Sequence, residues 1–427
     1  MKILLINYTD AGGGAAIASY RLLNALRNNG IDATLGVVKK QTADQNVVEI
    51  PLKKHSFAQK VFAKIIEKFW NPIWKRIKKP FMFRTSNGIL HSTNFKSKID
   101  VNWINKGDYD VVHLHWICSD MISIKDIARI KKPLVWTMHD TWPFCGAEHY
   151  PNMLENDMRY REGYTKKNKP TSTKGTDLCR KVWNKKKKYL SSKEIIFISP
   201  SNWEKNCINE SALFKDKTCF VIPNILPGIF APLDRLNICD ILGIPKDKKV
   251  IGFGAAYDID NPKGVKGSYY LLEALKCLKN SEEYFIVIFG NASSAFLSKL
   301  NIPYFASGFI SNESILAMLY NACHVFVCPS IIENLPFTCL ESIFCGVPVT
   351  AFNVGGIPDI VEHKKTGYLA KPYESSDLVN GIEYCLQNKE KLSENCLEKA
   401  KKDFSSEESV KKYIKVYNYA IKFEKQK

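Results

Sequence analysis

No C-x-x-C pair occurs in this chain, although thirteen cysteines are scattered through its 427 residues. With no evident disulfide framework, that scatter fits a reduced, cytoplasmic protein. No run approaches the ~18 consecutive apolar residues of a membrane-spanning helix. The start of the chain lacks the apolar stretch of a signal peptide, because residues 2–7 read as a short strand that is polar again by Asn7. No grouping of His, Cys and Asp has the spacing of a metal site, so neither a structural nor a catalytic metal is expected, and no cofactor. The dinucleotide fingerprint G-x-G-x-x-G is also missing: after Gly12-Gly13-Gly14 the next glycine is Gly30. No recognised nucleic-acid module is present either, so no nucleic-acid partner is expected for this basic chain.

The net charge of +18 is unevenly placed. Residues 1–200 carry 35 Lys/Arg against 17 Asp/Glu, and the remainder 26 against 26. All the excess belongs to the N-terminal half, which points to an anionic partner for that half alone. Within it, residues 55–80 place Phe57, Val61, Ile65, Phe69, Ile73 and Ile77 at every fourth position, with Trp70 and Trp74 beside them. Lysines make up most of the polar face, and Asn71-Pro72 divides the segment into two helices. A basic amphipathic element with interfacial tryptophans suits an anionic membrane surface and hence peripheral association with the cytoplasmic membrane. A second basic excursion covers roughly residues 148–184.

Elsewhere apolar strands alternate with helices. Strands are expected at residues 2–7, 33–38, 111–115, 134–138, 195–199 and 219–222, with an amphipathic helix at 16–29. After a proline-marked connection at 223–232 the pattern restarts, with strands at 249–254, 284–289, 324–328 and 347–352 and a strand-like segment before Gly308. Two successive βαβ sets predict an α/β protein of two doubly wound, Rossmann-like domains, residues 1–224 and 225–405, whose strand ends line a shared cleft. A final helix occupies much of 406–427.

Chemistry concentrates around Glu333 and Glu341, eight residues apart, the second at the opening of a helix that follows an apolar strand and Pro329-Ser330. A helix N-terminus at the carboxyl edge of a parallel sheet offers unpaired N–H groups and a positive dipole end to a diphosphate. Ionised carboxylates only accept hydrogen bonds, and sugars present rows of donors. Together they suggest a nucleotide-sugar site. The Gly12-Gly13-Gly14 turn, between a strand and a helix, lets backbone approach an anion closely. His139 and Asp140 end a strand and should emerge at the cleft. His113 and His115 share one face of their strand; His115-Trp116 sits at its carboxyl edge, within reach of an acceptor, and His113 reads as a core residue.

The two glutamates resemble the E-x7-E signature of glycosyltransferase family 4, retaining enzymes of the GT-B fold. Gly346-Val347-Pro348-Val349, Gly355-Gly356-Ile357-Pro358-Asp359 and Thr366-Gly367-Tyr368-Leu369 follow in the family's order. The run from Thr137 to Phe144 is similar to a segment of the polysaccharide-assembly branch (colanic acid, O-antigen and capsule type). The resemblance implies two facing domains with the last helix crossing back to the first. It implies donor-sugar and catalytic roles for His139, Glu333 and Lys266. For the donor it implies Gly13, Gly14, Asp140, Gly254, the backbone of Phe309 and Ile310, Asn334, Leu335, Pro336, Phe337 and Thr338, with Glu341 on the ribose. The family's arginine after the strand glycine is replaced by Ala255, and Lys263 is the candidate substitute. His115 and Trp116 are candidates for the acceptor. The activity implied is metal-independent, hexosyltransferase-type transfer, with retention, from a UDP- or GDP-sugar to a polyprenyl-diphosphate-linked glycan. The alternative is a non-catalytic nucleotide-sugar-binding partner of another glycosyltransferase.

Overall fold

The structure, a computed structural model, describes residues 1–53, 90–152, 155–171, 173, 175–257, 259–261 and 264–425. The amphipathic segment 55–80 and Lys263 lie outside the described residues.

Among the described residues, thirteen strands form two all-parallel sheets. The first holds β1 (Lys2–Ile6), β2 (Asp32–Val37), β3 (Val47–Glu49), β4 (Val111–Leu114), β5 (Leu134–Thr137), β6 (Ile196–Ser199) and β7 (Cys219–Val221), in the order β3-β2-β1-β4-β5-β6-β7. The second holds β8 (Lys249–Ala255), β9 (Tyr284–Gly290), β10 (Tyr304–Ala306), β11 (Val325–Cys328), β12 (Val349–Phe352) and β13 (Gly367–Ala370), in the order β10-β9-β8-β11-β12-β13. Helices cover both faces of each, so the central strands are buried on both sides and read as unbroken apolar runs such as Ile3-Leu4-Leu5-Ile6. The sequence pattern located these strands. It missed β3 and β13 and left β10 only strand-like. All three are edge strands of three or four residues with partly exposed faces, so none has an apolar run to reveal it.

Strand order reverses direction between β1 and β4, and again between β8 and β11. At such switch points the crossover helices leave to opposite faces and open a crevice beyond the carboxyl ends of the strands. The two crevices meet in one cleft. The terminal helix Ser406–Lys425 packs on the first sheet, where Tyr413, Val416, Tyr417 and Ala420 join Ile3, Leu5, Leu22 and Leu26 in one apolar cluster. Tyr417 Oη pairs with His113 Nδ1 at 2.8 Å, and Thr137 Oγ1 with His113 Nε2 at 2.8 Å, so His113 is a core residue as expected.

Candidate active site

A cleft of about 930 Å³ lies between the two sheets. On its second-sheet side the helix Phe337–Phe344 begins at Pro336 with no side-chain cap, leaving its first N–H groups to face the cleft. Lys266 precedes the helix Ser268–Cys277 and extends Nζ to Glu333 Oε1 at 2.5 Å; Ser330 Oγ donates to the same oxygen at 3.0 Å. Burial works against the Lys266 charge, but the Glu333 carboxylate outweighs it and holds the ammonium pKa above its usual value. Gly267 makes this approach possible. Its φ is +65°, and a Cβ there would stand 1.8 Å from the Pro329 carbonyl oxygen, so the loop after β11 can only close on a glycine.

Glu341 is buried, and both its oxygens are engaged. Arg21 Nη2 reaches Oε1 at 2.9 Å, and Tyr320 Oη donates to Oε2 at 3.0 Å. Burial raises the Glu341 pKa, with Arg21 opposing. Arg21 belongs to the other side of the cleft, on the helix Gly14–Asn28 after β1, and it also pairs with Glu313 at 2.8 Å and lies 4.6 Å from the Phe337 ring centroid. This cross-cleft arginine was missed by sequence reasoning. Its signal was present: Arg21 stands between Ala18 and Leu22 on the buried face of an amphipathic helix, where a charge needs a partner. Removing it by Arg21→Met strands Glu341, and a buried charge deprived of its partner costs about 3–5 kcal/mol. Thermal melting should fall accordingly, and Glu341→Gln in the same chain should recover most of the loss, a coupling that a double-mutant cycle measures.

Across the cleft, His139 follows β5. Its Nε2 lies 2.9 Å from His115 Nδ1, and the rings are stacked at 5.2 Å. Burial lowers the His139 pKa to about 4 and, with the neighbouring imidazoles, takes His115 well below its ordinary value. Both rings are therefore neutral near pH 7. His115 Nε2 is buried without a hydrogen-bond partner. An orphaned N–H costs more there than an orphaned lone pair, so the proton belongs on His115 Nδ1, which donates to His139 Nε2. His139 then carries its own proton on Nδ1 and is a hydrogen-bond donor.

Gly14, His139, Gly254, Lys266, Phe309, Ile310, Glu333 and Glu341 all line the cleft, as do Asn334, Leu335, Pro336, Phe337 and Thr338. Gly13 sits at the helix start beside the lining residues Gly12 and Gly14. Three placements differ from expectation. Asp140 is turned away from the cleft: its Oδ2 pairs with His149 Nδ1 at 2.6 Å, and its Oδ1 accepts from Trp142 N–H. His115 does not line the cleft but sits behind His139, and Trp116 packs edge-on to Tyr8 at 6.0 Å. Strand alternation brought them to the sheet edge but could not foresee that later loops cover it. The Asn334 side chain is committed to the opposite domain, accepting from Ser201 Oγ at 2.6 Å and donating to Glu204 Oε2 at 2.7 Å. Gly356 allows this contact, since a Cβ there would come within 1.8 Å of the Asn334 carbonyl oxygen. Tyr150 and Tyr257 also line the cleft, and Tyr257 Oη donates across it to the Gly12 carbonyl.

Residues 12–226 match the family model Glycosyltransferase Family 4, and residues 234–403 match Glycosyl transferases group 1. The chain belongs to glycosyltransferase family 4. This family 4 chain is 25% identical over 245 residues to an uncharacterized 41.2 kDa protein in the cps region of Klebsiella pneumoniae, covering 56% of this chain and 66% of that protein. It is 30% identical over 166 residues to the N,N'-diacetylbacillosaminyl-diphospho-undecaprenol α-1,3-N-acetylgalactosaminyltransferase of Campylobacter jejuni, covering 38% and 42%. The chain thus aligns with less than two thirds of the length of either relative. Among solved structures, Anabaena HepE in complex with UDP and glucose superposes with a TM-score of 0.66 at 17% identity, over 98% of this chain and 100% of that one. The architecture is accordingly GT-B.

Proposed function

We propose that this protein is a retaining glycosyltransferase that moves a hexose-type sugar from a UDP- or GDP-sugar to a polyprenyl-diphosphate-linked glycan during cell-surface polysaccharide assembly. The observation that carries the reading is the juxtaposition in one cleft of an uncapped helix N-terminus, Lys266, two carboxylates and a neutral imidazole donor. The helix amides and Lys266 stabilise the departing diphosphate without a metal. Glu341 accepts from the ribose hydroxyls, and Glu333 and His139 Nδ1 bind the donor sugar. As the anomeric carbon–oxygen bond to phosphate breaks, the acceptor oxygen attacks the same face, and its proton passes to the leaving phosphate oxygen. The relatives support this chemistry: the Campylobacter enzyme's name specifies an undecaprenol-diphosphate-linked acceptor, the Klebsiella protein comes from a cps region, and HepE was solved with UDP. The N-terminal excess of positive charge favours a working position at the inner face of the cytoplasmic membrane. Among the described residues no helix is long and apolar enough to cross a membrane.

The test is mass-spectrometric detection of free nucleoside diphosphate from a panel of UDP- and GDP-sugars with detergent-solubilised polyprenyl-linked acceptors. One donor should release its nucleotide, without added Mg²⁺ or Mn²⁺, and Glu341→Ala should abolish that release. Silence across the panel despite clear UDP or GDP binding would favour a non-catalytic partner.

A further inference from the structure

We propose that His91, Glu148 and Cys179 form a zinc site in the first domain, outside the catalytic cleft. Their ligand atoms lie within 4.8 Å of one another, and among the described residues no other such group is found. None of the three lines the cleft. They stand 57 and 31 positions apart in the chain, so linear spacing holds no trace of a metal site.

The fold builds the site from three elements. The segment at His91 runs antiparallel to that at Glu148, with Ser92 N–H on the Ala147 carbonyl at 2.7 Å and His149 N–H on the Leu90 carbonyl at 3.0 Å. Cys179 enters from the first turn of the helix Leu178–Leu190. That helix is fixed to the same loop by fully buried Lys186, whose ammonium donates to the Trp142, Cys145 and Gly146 carbonyls.

Glu148 shows what the site lacks. It is only 3% exposed, Tyr164 Oη donates to its Oε1, and its buried Oε2 has no partner in hydrogen-bond geometry, only the weak Cys179 thiol donor beside it. A buried carboxylate oxygen left unsatisfied is costly, and a cation bound there removes the cost. Gly146 leaves the space: a Cβ there would stand 2.6 Å from both Glu148 Oε2 and Cys179 Cβ.

The donor set selects the ion. Thiolate and imidazole disfavour Mg²⁺ and Ca²⁺, and sulfur, nitrogen and one carboxylate oxygen suit tetrahedral Zn²⁺ at about 2.0–2.3 Å. As the Cys179 sulfur–zinc bond forms, the thiol proton is released to solvent. The ion, one thiolate and one carboxylate then sum to zero charge, which suits an interior position. A water completes the coordination. The site would pin residues 147–149, from which His149 holds Asp140 and the next residue, Tyr150, faces the cleft.

Full-length, tag-free protein purified from zinc-supplemented cells should carry about one zinc per chain. Exchange to Co²⁺ should produce a thiolate-to-cobalt charge-transfer band. Cys179→Ser should abolish the band, and Glu148→Gln should weaken zinc binding by tenfold or more, with circular dichroism confirming that each variant is folded. Zinc below a tenth of an equivalent with no cobalt band in the unmodified protein overturns the proposal. So does a band that survives Cys179→Ser. Both readouts are independent of transfer activity.

Discussion

Lys266→Ala is expected to lower kcat for sugar transfer by about 10²–10³-fold, the usual effect of losing one charge-stabilising donor aimed at a developing oxyanion. The Lys266 ammonium is held against Glu333 at 2.5 Å, and Gly267 locks its backbone against the loop after β11. A departing diphosphate develops negative charge as the glycosidic bond lengthens, so the interaction is stronger in the transition state than in the ground state and acts on kcat. The same substitution deprives Glu333, itself 12% exposed at the side chain, of its countercharge, and the melting temperature should fall as well. Adding Glu333→Gln separates the two effects: the double variant should regain most of the melting temperature and none of the Lys266-dependent rate. Single-turnover release of nucleoside diphosphate and thermal melts of the four chains would decide it. Turnover of the double variant equal to that of Glu333→Gln alone would show that Lys266 stabilises only the resting cleft.

The sequence made the donor half of the cleft legible because its chemistry is local. Glu333, the turn at Pro336 and Glu341 belong to one strand–loop–helix unit, and Lys266-Gly267 is the start of another, so their placement follows from secondary structure alone. The other half depends on contacts distant in sequence. Asp140 was placed at the sheet edge correctly, but its partner His149 arrives on a loop whose path no periodicity encodes. Arg21 finds Glu341 320 residues further along the chain, and Asn334 reaches Glu204 from the opposite domain. Such pairings are set by how two domains face each other, a property of their whole surfaces. The same reason hid the His91, Glu148 and Cys179 cluster, whose members lie on three separate elements. The edge strands β3 and β13 were lost for a different cause: half-solvated and short, they need no continuous apolar run.

Mild acid should destabilise this protein steeply, through the stack of His113, His115 and His139. The His113 and His115 ring centroids are 4.3 Å apart and those of His115 and His139 5.2 Å, so a charge on one opposes a charge on the next. Burial lowers His113 to about 3 and His139 to about 4, and takes His115 in the same direction. In the unfolded chain each titrates near 6.5. As pH falls below 6.5 the unfolded state takes up protons that the folded state refuses, so the stability these neutral rings contribute is present above that pH and is lost as pH falls towards their folded values. At pH 5 the loss is about 2 kcal/mol for the fully buried His113 ring, enough to move the melting temperature by several degrees. Glu204 and Glu341 act oppositely, since burial raises both and their protonation favours the folded state as pH falls. The histidine contribution is therefore read as a difference. His113→Gln keeps hydrogen-bonding groups for Tyr417 and Thr137 but cannot titrate, and its melting temperature should fall less between pH 7 and pH 5 than that of the unmodified protein. Equal slopes would mean that His113 takes up its proton alike in the folded and unfolded states, so that folding does not lower its pKa. Because His139 remains neutral down to about pH 4, its Nδ1–H persists as a donor, and transfer measured at temperatures well below melting should lose no His139-dependent rate between pH 8 and pH 5.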